Sequence, residues 1–348
     1  MYNDDAPISL KQSILEAVCY YSLFDFSLTS VELWRSLARA DIGLRQVIET
    51  ARSMPEIAQE RGFFYLNTNM VLYDSLPHNR GNTRGATFLG AYMVGSDDTP
   101  LQQVNTRLQR YITATQLYKK LFLFLPIIHR FPYLRAIFVS GSLNLGAPRE
   151  DSDIDLMIIT DRNKLWTARF WLALFLKCMR MRPRVVPPLG KYRGSNAGTF
   201  CCNAWVTEAM LNIASFRKGV ADMYFQQWFI RLWPLWATSR RTVQEFYAQN
   251  FGCEGDGEQY PYTVRHSRTQ NVFEWIVGII PDYWYQKLQW SIMPSLMREL
   301  ALDSSDSVMI TEEQAKFHLV DKRDMYNAAW RERMKAYEQN TTPHVSLF

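Results

Sequence analysis

The chain has 348 residues, 47% of them hydrophobic and 14% aromatic, enough to bury the cores of two or more domains and too apolar for a disordered chain. No apolar run reaches the roughly 18 residues that a membrane-spanning helix needs, and Met1 to Leu10 carries Asp4 and Asp5 in place of the apolar stretch of a signal peptide. The net charge of +5 is unevenly spread: residues 1–75 hold six Lys/Arg against ten Asp/Glu, and residues 161–200 hold nine Lys/Arg against Asp161 alone. Five cysteines (Cys19, Cys178, Cys201, Cys202 and Cys253) are odd in number and lack metal-type spacing. A reducing cytoplasm and no membrane partner are therefore expected, with Cys201 and Cys202 as buried thiols.

The N-terminal stretch has apolar residues at helical spacing from Leu10 to Tyr21, broken at Asp25. Thr29 or Ser30 can cap a second helix, with Glu32 at the capping-box position. A third helix is expected from about Leu44 to Ser53, followed by a small hairpin through Ile57 and Gly62-Phe63-Phe64-Tyr65-Leu66. Three helices and a hairpin are the order of a winged helix, expected over 1–75. The would-be recognition helix balances Arg45 and Arg52 with Asp41 and Glu49. That neutrality disfavours DNA binding by this module, without closing it off, because a DNA reader offsets phosphate charge. Residues 76–104 are turn-rich and read as a linker or loop, and Asn105 to Leu125 returns to helix.

The stretch from Ala136 to Thr160 carries the chemistry. Ile137-Phe138-Val139 is a short apolar strand running into Ser140-Gly141-Ser142, where glycine permits a sharp turn and close approach to a ligand. A short helix starting at Ser142 would offer free N–H groups to an anion. Asp153 and Asp155 flank Ile154 in a second strand, so both carboxylates leave one face. Two crowded carboxylates call for a hard divalent cation with oxygen ligands, Mg²⁺ or Mn²⁺, shared with substrate phosphates. Arg162 and Lys164 open the basic excess that follows, which suits a polyanionic substrate.

Gly141-Ser142, ten intervening residues and Asp153-Ile154-Asp155-Leu156 resemble the signature of the DNA polymerase β-like nucleotidyltransferase superfamily. The resemblance implies an α/β (α+β) nucleotidyltransferase fold with a mixed sheet over 105–207. It also implies a nucleoside triphosphate such as ATP as substrate, bound by Gly141, Ser142, Arg162 and Lys164, with the metal on Asp153 and Asp155. RNA, a protein or a small molecule would be the hydroxyl acceptor. In that superfamily a third carboxylate commonly projects from a third strand. Here that strand, Thr199 to Thr207, has none, and Asn203 takes the matching place. Asn203 can ligate through its carbonyl oxygen but cannot deprotonate an acceptor, so it reads as a member of the catalytic set or as a hydrogen-bonding core amide. Two readings follow: a Mg²⁺-dependent nucleotidyltransferase, or a nucleotidyltransferase-fold protein without turnover that binds nucleotide or nucleic acid as a regulator. The layout also resembles bacterial proteins that join a winged-helix-like segment to this domain, through Phe24-Asp25-Phe26-Ser27-Leu28-Thr29 and Phe200-Cys201-Cys202-Asn203.

Lys164 to Met181 reads as a buried crossover helix and Arg182 to Gly198 as a basic loop. Residues 208–348 are expected to be mostly helical, with helices over 209–216, 221–233 and 311–339 and an aromatic-rich helical region from Val272 to Leu300 broken at Pro281 and Pro294. His318 and Asp321 would then sit one turn apart on the last helix.

Overall fold

The computed structural model describes residues 9–37, 41–67, 100–183, 185–186, 191–192, 196–219, 222–251, 262–265, 268–303, 307–318 and 321–341. Most of the expected linker over 76–104 lies outside them. In chain order the described helices are α1 Leu10–Ser22, α2 Ser30–Ser36, α3 Leu44–Arg52, α4 Pro100–Ile128, α5 Gly141–Asn144, α6 Leu165–Cys178, α7 Met223–Ile230, α8 Arg240–Phe251, α9 Arg268–Val277, α10 Asp282–Ser291, α11 Ser295–Leu302 and α12 Arg323–Thr341. The strands are β1 Leu28–Thr29, β2 Ile57–Glu60, β3 Phe63–Leu66, β4 Leu134–Val139, β5 Ile154–Thr160, β6 Val185–Val186, β7 Lys191–Tyr192, β8 Phe200–Thr207, β9 Trp233–Ala237, β10 Thr263–Val264, β11 Val308–Ile310 and β12 Gln314–Phe317. The protein is thus mixed α/β. It divides into one unit of Met1–Gln109, Asp222–Ile230 and Lys322–Phe348, and a second of Arg110–Ala221 and Arg231–Asp321.

In the first unit the capping box forms as expected: Glu32 N donates to Thr29 Oγ1 at 3.3 Å, and Thr29 N donates to Glu32 Oε2 at 2.8 Å. β1, β3 and β2 form an antiparallel sheet in that order. Arg61 (φ 49°) and Gly62 (φ 84°) turn β2 into β3 with two left-handed residues, the geometry that matches strand twist in a two-residue hairpin loop. Glu32 does a second job. Its other oxygen pairs with Arg107, which is fully buried and stacks 4.0 Å from the centre of the Phe26 ring. Chain-distant helices complete this unit: Tyr21 Oη donates to Gln227 Oε1 at 2.7 Å, and Trp330 Nε1 donates to Glu16 O at 3.1 Å.

The second unit is built on a seven-stranded sheet in the order β10-β9-β4-β5-β8-β12-β11. β5 lies at its centre, antiparallel to β4 and parallel to β8. The parallel pair needs a crossover, which α6 provides as expected. Leu117, Leu121 and Leu125 of α4 and Trp166, Leu172 and Leu176 of α6 pack in one cluster with Ile154, Leu156, Ile158, Phe200 and Trp205. On the opposite face Phe138 meets Phe246 of α8, ring centres 5.1 Å apart. Covered on both faces, β5 reads as a near-continuous apolar run interrupted only by Asp155. The N-terminus of α6 lacks a cap from its own sequence. Asp282 of α10 supplies one, accepting from Trp166 N at 3.2 Å and Thr167 N at 2.6 Å.

Strands β9 and β12 lie in the region expected to be mostly helical. Trp233–Ala237 is β9, inserted between β4 and β10. Its Pro234 pairs with Phe138 beside the β4–β9 register shift, beyond the two residues that pair with β10. The segment expected as helix from Thr311 opens instead with β12, which pairs antiparallel with β8, and α12 starts only at Arg323. His318 follows β12 and donates its N–H to Ser307 O at 3.0 Å, so it is not one helical turn from Asp321. Residues 209–216 keep only the short 3-10 turn Ala214–Phe216, and the basic loop holds the small β6–β7 ladder. The physical reason is shared: β9 and β12 gain ladder hydrogen bonds from β4 and β8, partners that are far away in the chain. The break at Pro281 and Pro294 stands, each preceding the first residue of α10 and α11.

Glu32→Ala removes both the cap and the partner of buried Arg107. It should cost about 3 kcal/mol, seen as a lower urea midpoint with amide-exchange protection lost first in α2. An unchanged midpoint would mean that Arg107 finds another partner.

Candidate metal and phosphate site

The site gathers at the C-terminal end of β4 and the N-terminal ends of β5 and β8. Ser140 N donates to Asp155 O at 3.0 Å, tying the end of β4 to β5. Gly141 then takes φ +68°, a conformation that side chains resist, and opens the single turn α5. A Cβ at Gly141 would lie 2.3 Å from Asp155 Oδ2. The glycine therefore does two things: it makes the turn, and it lets the backbone lie directly against the carboxylate.

Asp153 and Asp155 share a face, as their spacing requires. An oxygen of each and Cys201 Sγ lie within 4.8 Å of one another. Cys201 stands opposite Asp155 in the parallel β5–β8 register. That register then advances from Leu156–Cys202 to Met157–Ala204, skipping Asn203. Asn203 is thus the extra residue of a bulge, which re-aims its side chain, and its Nδ2 donates to Asp155 Oδ1 at 2.9 Å.

The electrostatics follow from crowding. Burial raises the Asp153 carboxyl above its ordinary value, and the charge of Asp151 adds to the rise. Burial, and then the charge of Asp153, push Asp155 well above the usual carboxylate range. The Cys201 thiol and the Asn203 amide each work the other way by hydrogen bonding. Burial and the two carboxylates also push the Cys201 thiol far up, so it stays protonated and serves as a donor. Two buried donors nearby, Ser140 Oγ and Asn144 Nδ2, have no hydrogen-bond partner among the described residues. Ser142 Oγ is 3.4 Å from Ser152 Oγ, which accepts from Arg149 N at 2.9 Å and holds the loop between α5 and β5.

Of the residues expected in the site, Gly141, Ser142, Asp153, Asp155 and Asn203 come together. Arg162 and Lys164 do not. They follow the far end of β5, and the strand from Asp155 to Thr160 alone spans about 17 Å. Arg162 is exposed there, and Lys164 Nζ lies 4.9 Å from the Tyr133 ring centre. Glu208, the carboxylate nearest in sequence to β8, is also at that far end, where its Oε1 accepts from Thr242 Oγ1 at 2.6 Å. Among the described residues no third carboxylate joins the pair. Cys201 and the bulge were the unexpected parts. The signal was there in the spacing: Cys201 and Asn203 flank Cys202, so they fall on one face of β8 if that strand lies beside β5.

A hard cation fits this donor set. Two carboxylates with raised proton affinity gain most from a positive partner, and a protonated thiol leaves the oxygens as ligands. Without metal, the sign of the pH dependence is set. Both carboxyls hold protons more tightly folded than unfolded, so their contribution to stability is full below the unfolded carboxylate range and falls as pH rises toward the raised folded values. In EDTA the second unit should therefore lose stability as pH rises through that window, and Asp153→Asn/Asp155→Asn should flatten the slope. A wild-type stability that rises with pH there, with the double variant parallel to it, would contradict this assignment. Gly141→Ala should cost about 2 kcal/mol from the left-handed backbone alone, with the overlap on Asp155 added, read as a drop in the thermal midpoint. The chain matches no protein-family model, no curated protein and no solved structure, so its functional reading rests on the geometry and chemistry of this site.

Proposed function

We propose that the chain is a Mg²⁺- or Mn²⁺-dependent nucleotidyltransferase of the DNA polymerase β-like kind, moving a nucleoside monophosphate from a triphosphate to an acceptor. The observation that carries this reading is the bare backbone of Gly141 lying against one member of a crowded carboxylate pair. A phosphate cradle and a cation-holding pair in direct contact are the equipment of phosphoryl-group chemistry.

On this reading Asp153 and Asp155 hold the cation, which, when bound, polarises the triphosphate and offsets charge on the leaving pyrophosphate. Gly141 and Ser142 offer backbone N–H groups to the phosphates. Ser140 Oγ and Asn144 Nδ2 are further donors beside that cradle whose hydrogen bonds are unfilled among the described residues. Asn203 is a positioning residue: it holds one oxygen of Asp155 and so selects which oxygen faces the cation. Cys201 shields the pair as a neutral donor.

The second reading is a protein of this fold that binds nucleotide without turnover. What favours it is the place opposite Asp155 on β8, filled by a thiol held protonated instead of a carboxylate. Under either reading α1, α2, α3 and the β1-β3-β2 sheet are taken as a winged helix serving protein contacts more readily than DNA.

The test is incubation with each nucleoside triphosphate labelled at the α-phosphate, with Mg²⁺ or Mn²⁺, total RNA and cell lysate. Label on an acceptor with wild type, absent with Asp153→Asn/Asp155→Asn, is the expected result. Asn203→Ala should weaken Mn²⁺ binding by about 10–100-fold, the range for a group that orients a ligand. Transfer that survives the double variant would end the transferase reading. Nucleotide binding by calorimetry without any transfer would leave the binding protein.

A further inference from the structure

The face of β8 turned away from the carboxylates holds a feature the proposed reaction does not use. Arg169 of α6 is only 8% exposed. Its Nη1 donates to Gln289 Oε1 at 2.5 Å, and its guanidinium lies 4.1 Å from the centre of the Phe317 ring and 5.8 Å from that of Trp166. Among the described residues it has no carboxylate partner. The orientation of Gln289 is settled, because its Nε2 donates to Trp166 O at 2.7 Å and Tyr285 O at 3.1 Å. A neutral amide oxygen therefore faces a buried cation, and among the described residues Gln289 is the one hydrogen-bond acceptor of the guanidinium. Buried charges are ordinarily paired.

The surroundings deepen the imbalance. Arg169 lines a cavity with Leu172, Leu176, Arg182, Phe200 and Cys202, where the centre of a water-sized group has about 20 Å³ to occupy. One ordered water needs about 10–15 Å³ on that measure, so the space admits a small group and no large ligand. Arg182 is exposed. Burial, and then the charge of Arg182, push Arg169 down to about 9. Burial holds the Cys202 thiol up at about 12, so it brings no negative charge. From Arg162 to Thr207 the chain has no Asp or Glu. Asp161, just before that stretch, is already bound to Arg135 at 2.5 Å.

We propose that the cavity between Arg169 and Arg182 binds a small oxyanion, a phosphate group that enters past the exposed Arg182 and pairs with the buried Arg169. Arg supplies paired donors in a plane, the arrangement that suits phosphate oxygens. The site lies across β8 from Asp155, since Phe200, Cys202 and Trp205 line it while Cys201 and Asn203 reach the carboxylate. It does not depend on the nucleotidyltransferase reading.

The experiment is calorimetry of the full chain in EDTA, titrated with inorganic phosphate against chloride at equal ionic strength. EDTA removes any metal-bridged phosphate at the carboxylates, which alone repel the anion. The expected result is one saturable site, weakened at least tenfold by Arg182→Gln and abolished by Arg169→Met. Arg182 is exposed, so its variant keeps the test meaningful should Arg169→Met fail to fold. Glycerol phosphate is the second probe: binding tighter than inorganic phosphate assigns the site to the head of a larger ligand, and equal or weaker binding assigns it to free phosphate. No saturable heat with either probe, or affinity within twofold of wild type in Arg182→Gln, overturns the proposal.

Discussion

Two carboxylates set one residue apart at the half-buried start of a central strand impose the constraint on which the second unit depends. Neither can be moved. Ile154, Leu156 and the rest of β5 are held by buried contacts on both sheet faces, so the backbone that carries Asp153 and Asp155 cannot relax to separate them. Everything near the pair answers that repulsion. Gly141 brings backbone where a side chain would collide, Cys201 supplies a neutral donor, and Asn203 reaches in from a bulge. A rigid apolar floor and a crowded polar tip are complementary parts of one device, because only the floor keeps the tip from relieving itself.

The same sheet separates charges of opposite sign. On one face two carboxylates crowd together; on the other Arg169 has no carboxylate partner among the described residues. Consecutive residues of β8 look at the two sides, with Cys201 beside the carboxylates and Cys202 beside Arg169 and Arg182. Both thiols are held neutral by burial, so Cys202 does not cancel the charge of Arg169 and Cys201 adds none to the carboxylates. In a low-dielectric interior an unpaired charge costs more than it does at the surface, so on the two proposed readings each face would be relieved by a ligand of opposite sign.

Parts of this arrangement were legible in the amino-acid sequence because they are local. The Thr29–Glu32 box, the glycine turn at Gly141, the shared face of Asp153 and Asp155 and the crossover helix each follow from neighbours a few residues apart. What escaped depends on partners that local pattern does not contain. Trp233–Ala237 is five residues with a proline, and it becomes a strand only because β4 offers its edge. Gln314–Phe317 is extended because β8 needs a neighbour. Cys201 and Cys202 read as buried thiols and are half-buried; the place of Cys201 in the site comes from the parallel register with Asp155, and that register belongs to two strands at once. Arg162 and Lys164 looked close to the carboxylates in sequence, but a strand extends chain and separates its ends.

The residue opposite Asp155 narrows what an acceptor could be on the proposed reading. A hydroxyl acceptor must give up its proton, and a carboxylate on β8 would be the ready base. That place holds Cys201, whose thiol is kept protonated by burial and then by the two carboxylates, and Asn203, which has no basic atom at neutral pH. Neither can take the proton. An acceptor that arrives already ionised, such as a phosphate or a carboxylate, needs no base and meets the cation directly. A hydroxyl would have to lose its proton to solvent or to a phosphate oxygen of the triphosphate itself. On the proposed reading an ionised acceptor needs no base, but the crowding that raises the proton affinity of Asp155 also repels it, so such an acceptor would approach only with the cation bound.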